Sequence, residues 1–281
     1  MIDRRTISST IDTTVAYGVL SLFVVVILFP LVWIVLTSLK TQADIITRPL
    51  GMIPSTFNLV ENFEEIFRRA PWLTYFRNSV IIVVALLSLQ FVVAILAAYA
   101  FAYFKFPGKN FFFILVLTRL MISPDSVILP NYITILNLGL MDTLVAIFLP
   151  FVGSAIAILI IRAAFLQIPS ELRESAIVDG CGDIGFITRI GLPLLKPALV
   201  TFGIISSVYQ WNAFFWPMLV TESVGTRTLP VGLAQFGIRA ESGAEWALTM
   251  TATILVIGPI LLAFLVFQRQ FLNSFVRSGL R

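Results

Sequence analysis

Six stretches of roughly 20 residues, 15–38, 78–101, 111–129, 144–164, 198–220 and 246–268, run almost without charge, and each is long enough to cross a bilayer as a helix. In hydrocarbon every backbone N–H and C=O must find a partner within the chain, so such stretches cross only as helices. The expected fold is therefore an all-α integral membrane protein with six transmembrane helices. Pro30, Pro150 and the Gly258-Pro259 pair are expected to kink their helices, where neighbouring helices or water can satisfy the freed carbonyls.

The composition agrees. Of the 281 residues 58% are hydrophobic and 12% charged, against about 25% charged for a surface that faces water. No polar interval is long enough to bury a core of its own, so residues 1–281 read as one transmembrane domain with a loop at 167–197. The net charge of +4 lies scattered in loops and tails, not along a stripe, which excludes a nucleic-acid partner. A single cysteine, Cys181, excludes an internal disulfide. The absence of histidine removes the usual imidazole base and the commonest metal ligand. The first apolar run is too long for a signal-peptide core and reads as a retained span.

Basic residues set the orientation. With the N-terminus inside, the inner segments hold 11 Lys/Arg and the outer loops 7, with Arg119 near the outer end of the third span. Excess basic charge marks the cytoplasmic side, so both termini are expected there. In the first outer loop, residues 62–72 are expected to form a short surface helix. Phe63, Ile66 and Phe67 would share its apolar face, with Glu64, Glu65, Arg68 and Arg69 in solvent.

The most informative interval is 167–197. Ser170 is a good N-cap, with Glu171 in the positively polarised first turn. A helix is expected over 171–179, ended by Gly180, which takes the left-handed conformation readily. Asp183 can cap a second short helix over 184–190, closed by Gly191 and Pro193. The product is a two-helix loop presented to the cytosol.

Glu174-Ser175-Ala176, Gly180 six positions after the glutamate, and then Ile190, Leu192 and Pro193 resemble the EAA loop of ABC importer permeases. Ser175 replaces an alanine of that pattern. The resemblance extends over nearly the whole chain and points to the carbohydrate-uptake branch, similar to the smaller permease of maltose-type importers. Ala98-Tyr99-Ala100-Phe101 with Phe106-Pro107-Gly108-Lys109, Leu129-Pro130-Asn131-Tyr132 with Leu138-Gly139-Leu140-Met141-Asp142-Thr143, Trp211-Asn212 and Thr228 to Leu233 carry it. The C-terminus departs, stopping at Ser278-Gly279-Leu280-Arg281. The resemblance implies that the loop is a coupling helix seated in a groove of an ATPase subunit, through Glu171, Glu174, Ser175, Ala176, Asp179 and Gly180, with Ile190, Leu192 and Pro193 behind. Small Ser175 and Ala176 would let the backbone approach that groove, and Glu174 would pair with a basic residue in it.

Candidate cargo contacts lie in the fifth span, where Tyr209, Gln210, Trp211 and Asn212 interrupt an aliphatic run. Amides are costly in lipid and should face protein or a water-filled cavity. Aromatic faces beside amides suit a sugar, although the same residues can serve helix packing. Ala213 stands where relatives often carry another polar side chain. Arg119, set in an apolar run, either snorkels to headgroups or faces the cavity, where it would favour an anionic cargo such as a glycerol phosphate. The outer loop 237–245, with Gly237, Arg239, Glu241 and Ser242, resembles the loop that reaches into the binding protein in maltose-type relatives; a plain surface turn is the alternative.

The implied machine is an alternating-access importer in a bacterial or archaeal inner membrane. Its partners would be a second permease subunit, two ATPase subunits and an extracytoplasmic solute-binding protein. The chain has no G-x-x-x-x-G-K-[ST] phosphate loop, so ATP and Mg belong to the ATPases and no cofactor is expected here. Two rivals fit less well. An ion-coupled transporter needs intramembrane carboxylates, and apart from Asp125, near the outer end of the third, the six stretches contain no Asp or Glu. A membrane enzyme would have to assemble a nucleophile and base without histidine.

Overall fold

A computed structural model describes residues 4–48, 51, 53–240 and 245–278. Among these no strand occurs. The helices, in order, are α1 (Arg4–Ser38), α2 (Gln42–Thr47), α3 (Leu59–Arg69), α4 (Trp72–Tyr103), α5 (Lys109–Thr118), α6 (Ile128–Asn137) and α7 (Leu144–Phe148). Then come α8 (Ala155–Phe165), α9 (Ser170–Val178), α10 (Asp183–Phe186), α11 (Leu192–Trp211), α12 (Phe215–Val220), α13 (Leu229–Ala240) and α14 (Trp246–Ser278).

Among the described residues four helical runs are long and apolar enough to cross a membrane: Val15–Ser38, Trp72–Tyr103, Asp183–Trp211 and Trp246–Val266. Leu144–Phe151 and Ala155–Phe165 pass the same test together, bent by 50°. The expected third stretch, 111–129, differs most. Its helix α5 stops after ten residues, about 15 Å of rise. The chain then turns through a 3-10 segment, Pro124–Val127. Pro124 cannot extend the ladder, and Ser123 and Asp125 favour turns, so mean hydropathy overstated this helix. The fifth span also shifts: it begins at Asp183 and is broken from α12 at Asn212–Phe214.

The chain divides into two compact units. The first comprises residues 1–70 and 233–259. In it the surface helix α3 lies at 59–69, and its inward line is Asn62 and Ile66, with Phe67 exposed. Of the expected Phe63, Ile66 and Phe67 face, Ile66 is buried, and Asn62 joins it in place of Phe67. The reason is polar: Asn62 Nδ2 donates to the carbonyls of Ser38 (2.8 Å) and Lys40 (3.1 Å), which the end of α1 leaves without helical partners. Buried Lys40 donates to the Gly51 carbonyl and lies 5.3 Å from the Trp33 ring. On the solvent side Glu65 pairs with Arg68 and Arg69, and Arg69 also reaches Glu245.

The second unit comprises residues 71–232 and 260–281. There α4 packs chiefly on α8 and α11. Small Ala94, Ala98 and Ala157, all buried, let the backbones approach closely, as apolar helices in lipid require. At the Trp72 end of α4, Ile82, Ile135, Ile147 and Trp216 form a second cluster. Trp216 Nε1 donates to the Ala146 carbonyl at 3.1 Å.

Buried Gln90 joins three elements. Its Nε2 donates to the Phe151 carbonyl at 2.8 Å, and its Oε1 accepts from Ser206 Oγ at 2.6 Å. Phe151 ends the 3-10 turn just before the 50° bend. Gln90 therefore satisfies a carbonyl that a broken helix would otherwise leave bare in an apolar setting.

Candidate functional site

Helix α9 begins one residue earlier than expected. Pro169 occupies the N-cap position, Ser170 is already helical, and no side chain caps the N-terminus. Glu171 lies in the first turn as expected. The other end follows from Gly180, whose φ is +75°, a conformation that L side chains resist. Gly180 N–H donates to the Ile177 carbonyl (3.0 Å) and Cys181 N–H to the Ala176 carbonyl (2.8 Å). This double closure is the Schellman arrangement, and Asp179 is its C-cap residue.

The second loop helix is not closed at Gly191 and Pro193. Gly182, not Asp183, is the N-cap of α10. The helix passes through a π-turn, Ile187–Gly191, directly into α11. The Leu192 N–H reaches back to the Ile187 carbonyl. This widened turn accommodates Pro193, which has no N–H and would otherwise clash with the preceding turn. Ile190 and Leu192 are half-buried and Pro193 is exposed.

Glu171, Glu174, Ser175 and Val178 follow at i, i+3, i+4 and i+7, which places them on one helical stripe. All four are exposed, Val178 by 86%. Arg173 and Ala176 occupy the opposite side. Ala176 is 5% exposed and packs in the chain's own core with Tyr99, Phe165 and Phe186. The expectation that Ala176 faces outward is corrected: its small side chain serves close packing of α9 onto this chain, and Ser175 is the small residue on the open side.

The fifth-span candidates also divide. Tyr209 (64% exposed) and Asn212 share an exposed stripe with Ile205 and Val208. Asn212 ends α11, with Nδ2 donating to the Val208 carbonyl at 2.8 Å. Gln210 and Trp211 are buried, Trp211 edge-on to Phe76 at 5.9 Å. Arg119 is half-buried at the end of α5, and its guanidinium donates to the Ile122 carbonyl at 3.2 Å, within its own turn.

Gly237 and the backbone of Arg239 fall within α13, which runs to Ala240. The loop expected over 237–245 is therefore helical in its first part, while Glu241 and Ser242 lie outside the described residues, as do Gly279, Leu280 and Arg281.

Asp142, at φ +56°, stood in the sequence only as part of the Leu138 to Thr143 stretch that carries the resemblance, with no role of its own. Its carboxylate accepts from the N–H groups of Glu222 and Ser223, each at 2.9 Å, and from the Thr226 hydroxyl. Burial pushes its pKa up, but these donors outweigh it and hold the group at about 2. Asn78 grips the same loop, donating to the carbonyls of Gly225 (2.8 Å) and Arg227 (2.9 Å). Gln90 had a readable signal, an amide in an apolar run. The contacts of Asp142 and Asn78 had none, because their partners are distant in sequence.

Membrane-length helices that carry an exposed helical loop describe a multi-pass membrane protein. Residues 90–276 match the family described as binding-protein-dependent transport system inner membrane component. The chain belongs to that family and is an inner-membrane transport permease subunit. It is 33% identical over 290 residues to the sn-glycerol-3-phosphate transport system permease protein UgpE of Brucella suis, covering 99% of both chains. It is 34% identical over 256 residues to the arabinooligosaccharides transport system permease protein AraQ of Halalkalibacterium halodurans, covering 90% of this chain and 91% of that one. The fold is similar to a chain in the crystal structure of a bacterial ABC transporter involved in import of the acidic polysaccharide alginate. There the TM-score is 0.82 at 22% identity, over 96% of this chain and 98% of that one.

Proposed function

We propose that this chain is one of two permease subunits of an ATP-driven importer for a sugar or oligosaccharide. It crosses the membrane six times with both termini in the cytoplasm. An extracytoplasmic binding protein delivers cargo, and two ATPase subunits hold ATP and Mg and drive alternating access, so the chain itself carries no cofactor and no catalytic residue. The observation that carries this reading is the stripe of Glu171, Glu174, Ser175 and Val178, exposed while the other side of α9 is anchored. A valine 86% exposed beside two carboxylates on a loop helix fits a partner with a basic, partly apolar groove.

Tyr209 and Asn212 are the cargo-facing pair, an aromatic face next to an amide on an exposed helix stripe, and Gln210 and Trp211 hold that stripe from behind. Arg119, half-buried, and the likeness to glycerol-3-phosphate permeases favour a second reading, the same machinery with an anionic cargo. Affinity purification of the solubilised chain tests the assembly: a second permease and ATPase subunits are expected to co-purify, and their absence would sink the reading. Mass spectrometry of the ligand held by the co-expressed binding protein then separates a neutral sugar from an anionic phosphate ester.

A further inference from the structure

Helix α9 has nine residues, short of the roughly 12–15 at which an isolated helix becomes even marginally stable in water. Its direction must therefore be set by what it touches. Its inward side is made by Arg173 and Ala176, and Ala176 offers only a methyl group. The Arg173 guanidinium lies 4.9 Å from the centre of the Tyr103 ring. Its Nη2 is 3.7 Å from the Asp183 carboxylate, while its buried Nε has no hydrogen-bond partner among the described residues. Asp183, on the other arm of the loop, accepts from the Tyr99 hydroxyl at 2.5 Å. Tyr103 in turn donates to the Phe165 carbonyl at 2.8 Å.

Tyr99 and Tyr103 are one helical turn apart on α4, so both arms of the loop are fastened to the same turn of one membrane-length helix. Aromatic packing stiffens that turn: the Tyr99 ring lies 5.1 Å from Tyr103 and 5.6 Å from Phe165. About two and a half turns further along α4, Gln90 holds the Phe151 carbonyl and Ser206.

We propose that Arg173, Asp183, Tyr99 and Tyr103 form a latch that positions α9 and transmits its displacement to α4. The latch rests on the reading of α9 as the ATPase-docking helix. Arg173 and its tyrosine are positioning residues that act through the exposed stripe. Arginine is required because its broad guanidinium lies over the ring and still faces the carboxylate, whereas lysine retains only the charge.

The test uses the assembled importer, with partner permease, ATPases and binding protein, in nanodiscs. Two quantities are read: ATPase retention, and the factor by which the binding protein stimulates ATP hydrolysis. Arg173→Leu and Tyr103→Leu are expected to retain the ATPases and lose about tenfold in stimulation, the scale of a partly buried cation–π contact within a coupling network. Arg173→Lys should fall between these and Tyr103→Phe, which keeps the ring and full stimulation. Unchanged stimulation in both Arg173 variants, with ATPases retained, overturns the latch alone. If the leucine variants do not assemble, equal stimulation in Arg173→Lys and Tyr103→Phe overturns it. A wild-type chain that retains no ATPase overturns the docking reading, and the latch with it.

Discussion

The Tyr75 ring occupies the space that a side chain at Gly232 would need: a Cβ there would lie 2.3 Å from Tyr75 Cδ2. Both residues are buried, and Trp72 packs edge-on against the same ring at 5.7 Å, so the tyrosine has little room to yield. Gly232→Ala is expected to destabilise by about 1–3 kcal/mol, the usual cost of overpacking. A lower thermal midpoint in detergent is the expected outcome, and in a Tyr75→Ala background, itself less stable, the same glycine substitution should lower the midpoint by much less. An unchanged midpoint in the single variant would contradict the contact.

Two substitutions on α9 separate its two sides. Glu174→Lys should leave the chain as stable as wild type while removing a charge pair with the ATPase groove, costing about 2–5 kcal/mol of interface energy. Ala176→Leu should instead lower the stability of the chain itself, because Ala176 is packed against Phe186 and Phe165. Co-elution with the ATPases and the thermal midpoint of the isolated chain give the two readouts. Normal co-elution of Glu174→Lys would remove the stripe as a docking site.

Tyr209→Ala and Asn212→Leu are expected to raise the cargo concentration that half-saturates uptake and to leave the fold intact. Trp211→Ala removes a buried aromatic and should cost about 3–5 kcal/mol of stability without that selective change. Should Tyr209 and Asn212 variants keep the wild-type concentration dependence, their stripe faces lipid or the partner chain.

Asp142 predicts an acid-sensitive loop. Its folded pKa of about 2 lies below the ordinary 3.8, so its contribution is complete above about pH 4 and is lost as pH falls from 3.8 through 2. Proteolytic nicking of the 221–228 loop should rise over that window. Asp142→Asn keeps an acceptor and tolerates the left-handed backbone but cannot titrate, so the difference between the two proteins should show the step. Identical pH profiles would mean that other carboxylates govern the loop.

Cys181 reports topology and docking together. It follows Gly180 at the bend after α9, is partly exposed and is a free thiol. A membrane-impermeant maleimide should label it in inside-out vesicles and not in intact spheroplasts, and bound ATPases should slow the reaction. Labelling from the outer face would reverse the orientation. Equal rates with and without the ATPases would place their dock elsewhere.

Hydropathy alone made the chain all-helical and membrane-spanning, because lipid leaves an unpaired backbone no other solution. Local chemistry also located α9 within one residue: Glu171 marks its start, and Gly180 can only end it. The family resemblance rests on equally local spacing around Glu174. What periodicity cannot reveal is which side of a helix finds its partners within the same chain. Of the apolar face expected on α3, Ile66 is buried, yet beside it Asn62 turns inward to meet the carbonyls that end α1 while Phe67 stays exposed. Ala176 looked like a docking residue, yet it packs on Tyr99 and Phe186. Pro150 signalled the bend at Phe151, but the breaks after Thr118 and at Asn212 were invisible to hydropathy, since a broken helix stays just as apolar. The clamps at Gln90, Asp142 and Asp183 join residues some 60 to 120 positions apart. Local sequence specifies a donor or an acceptor, and only the folded chain decides which distant group it meets.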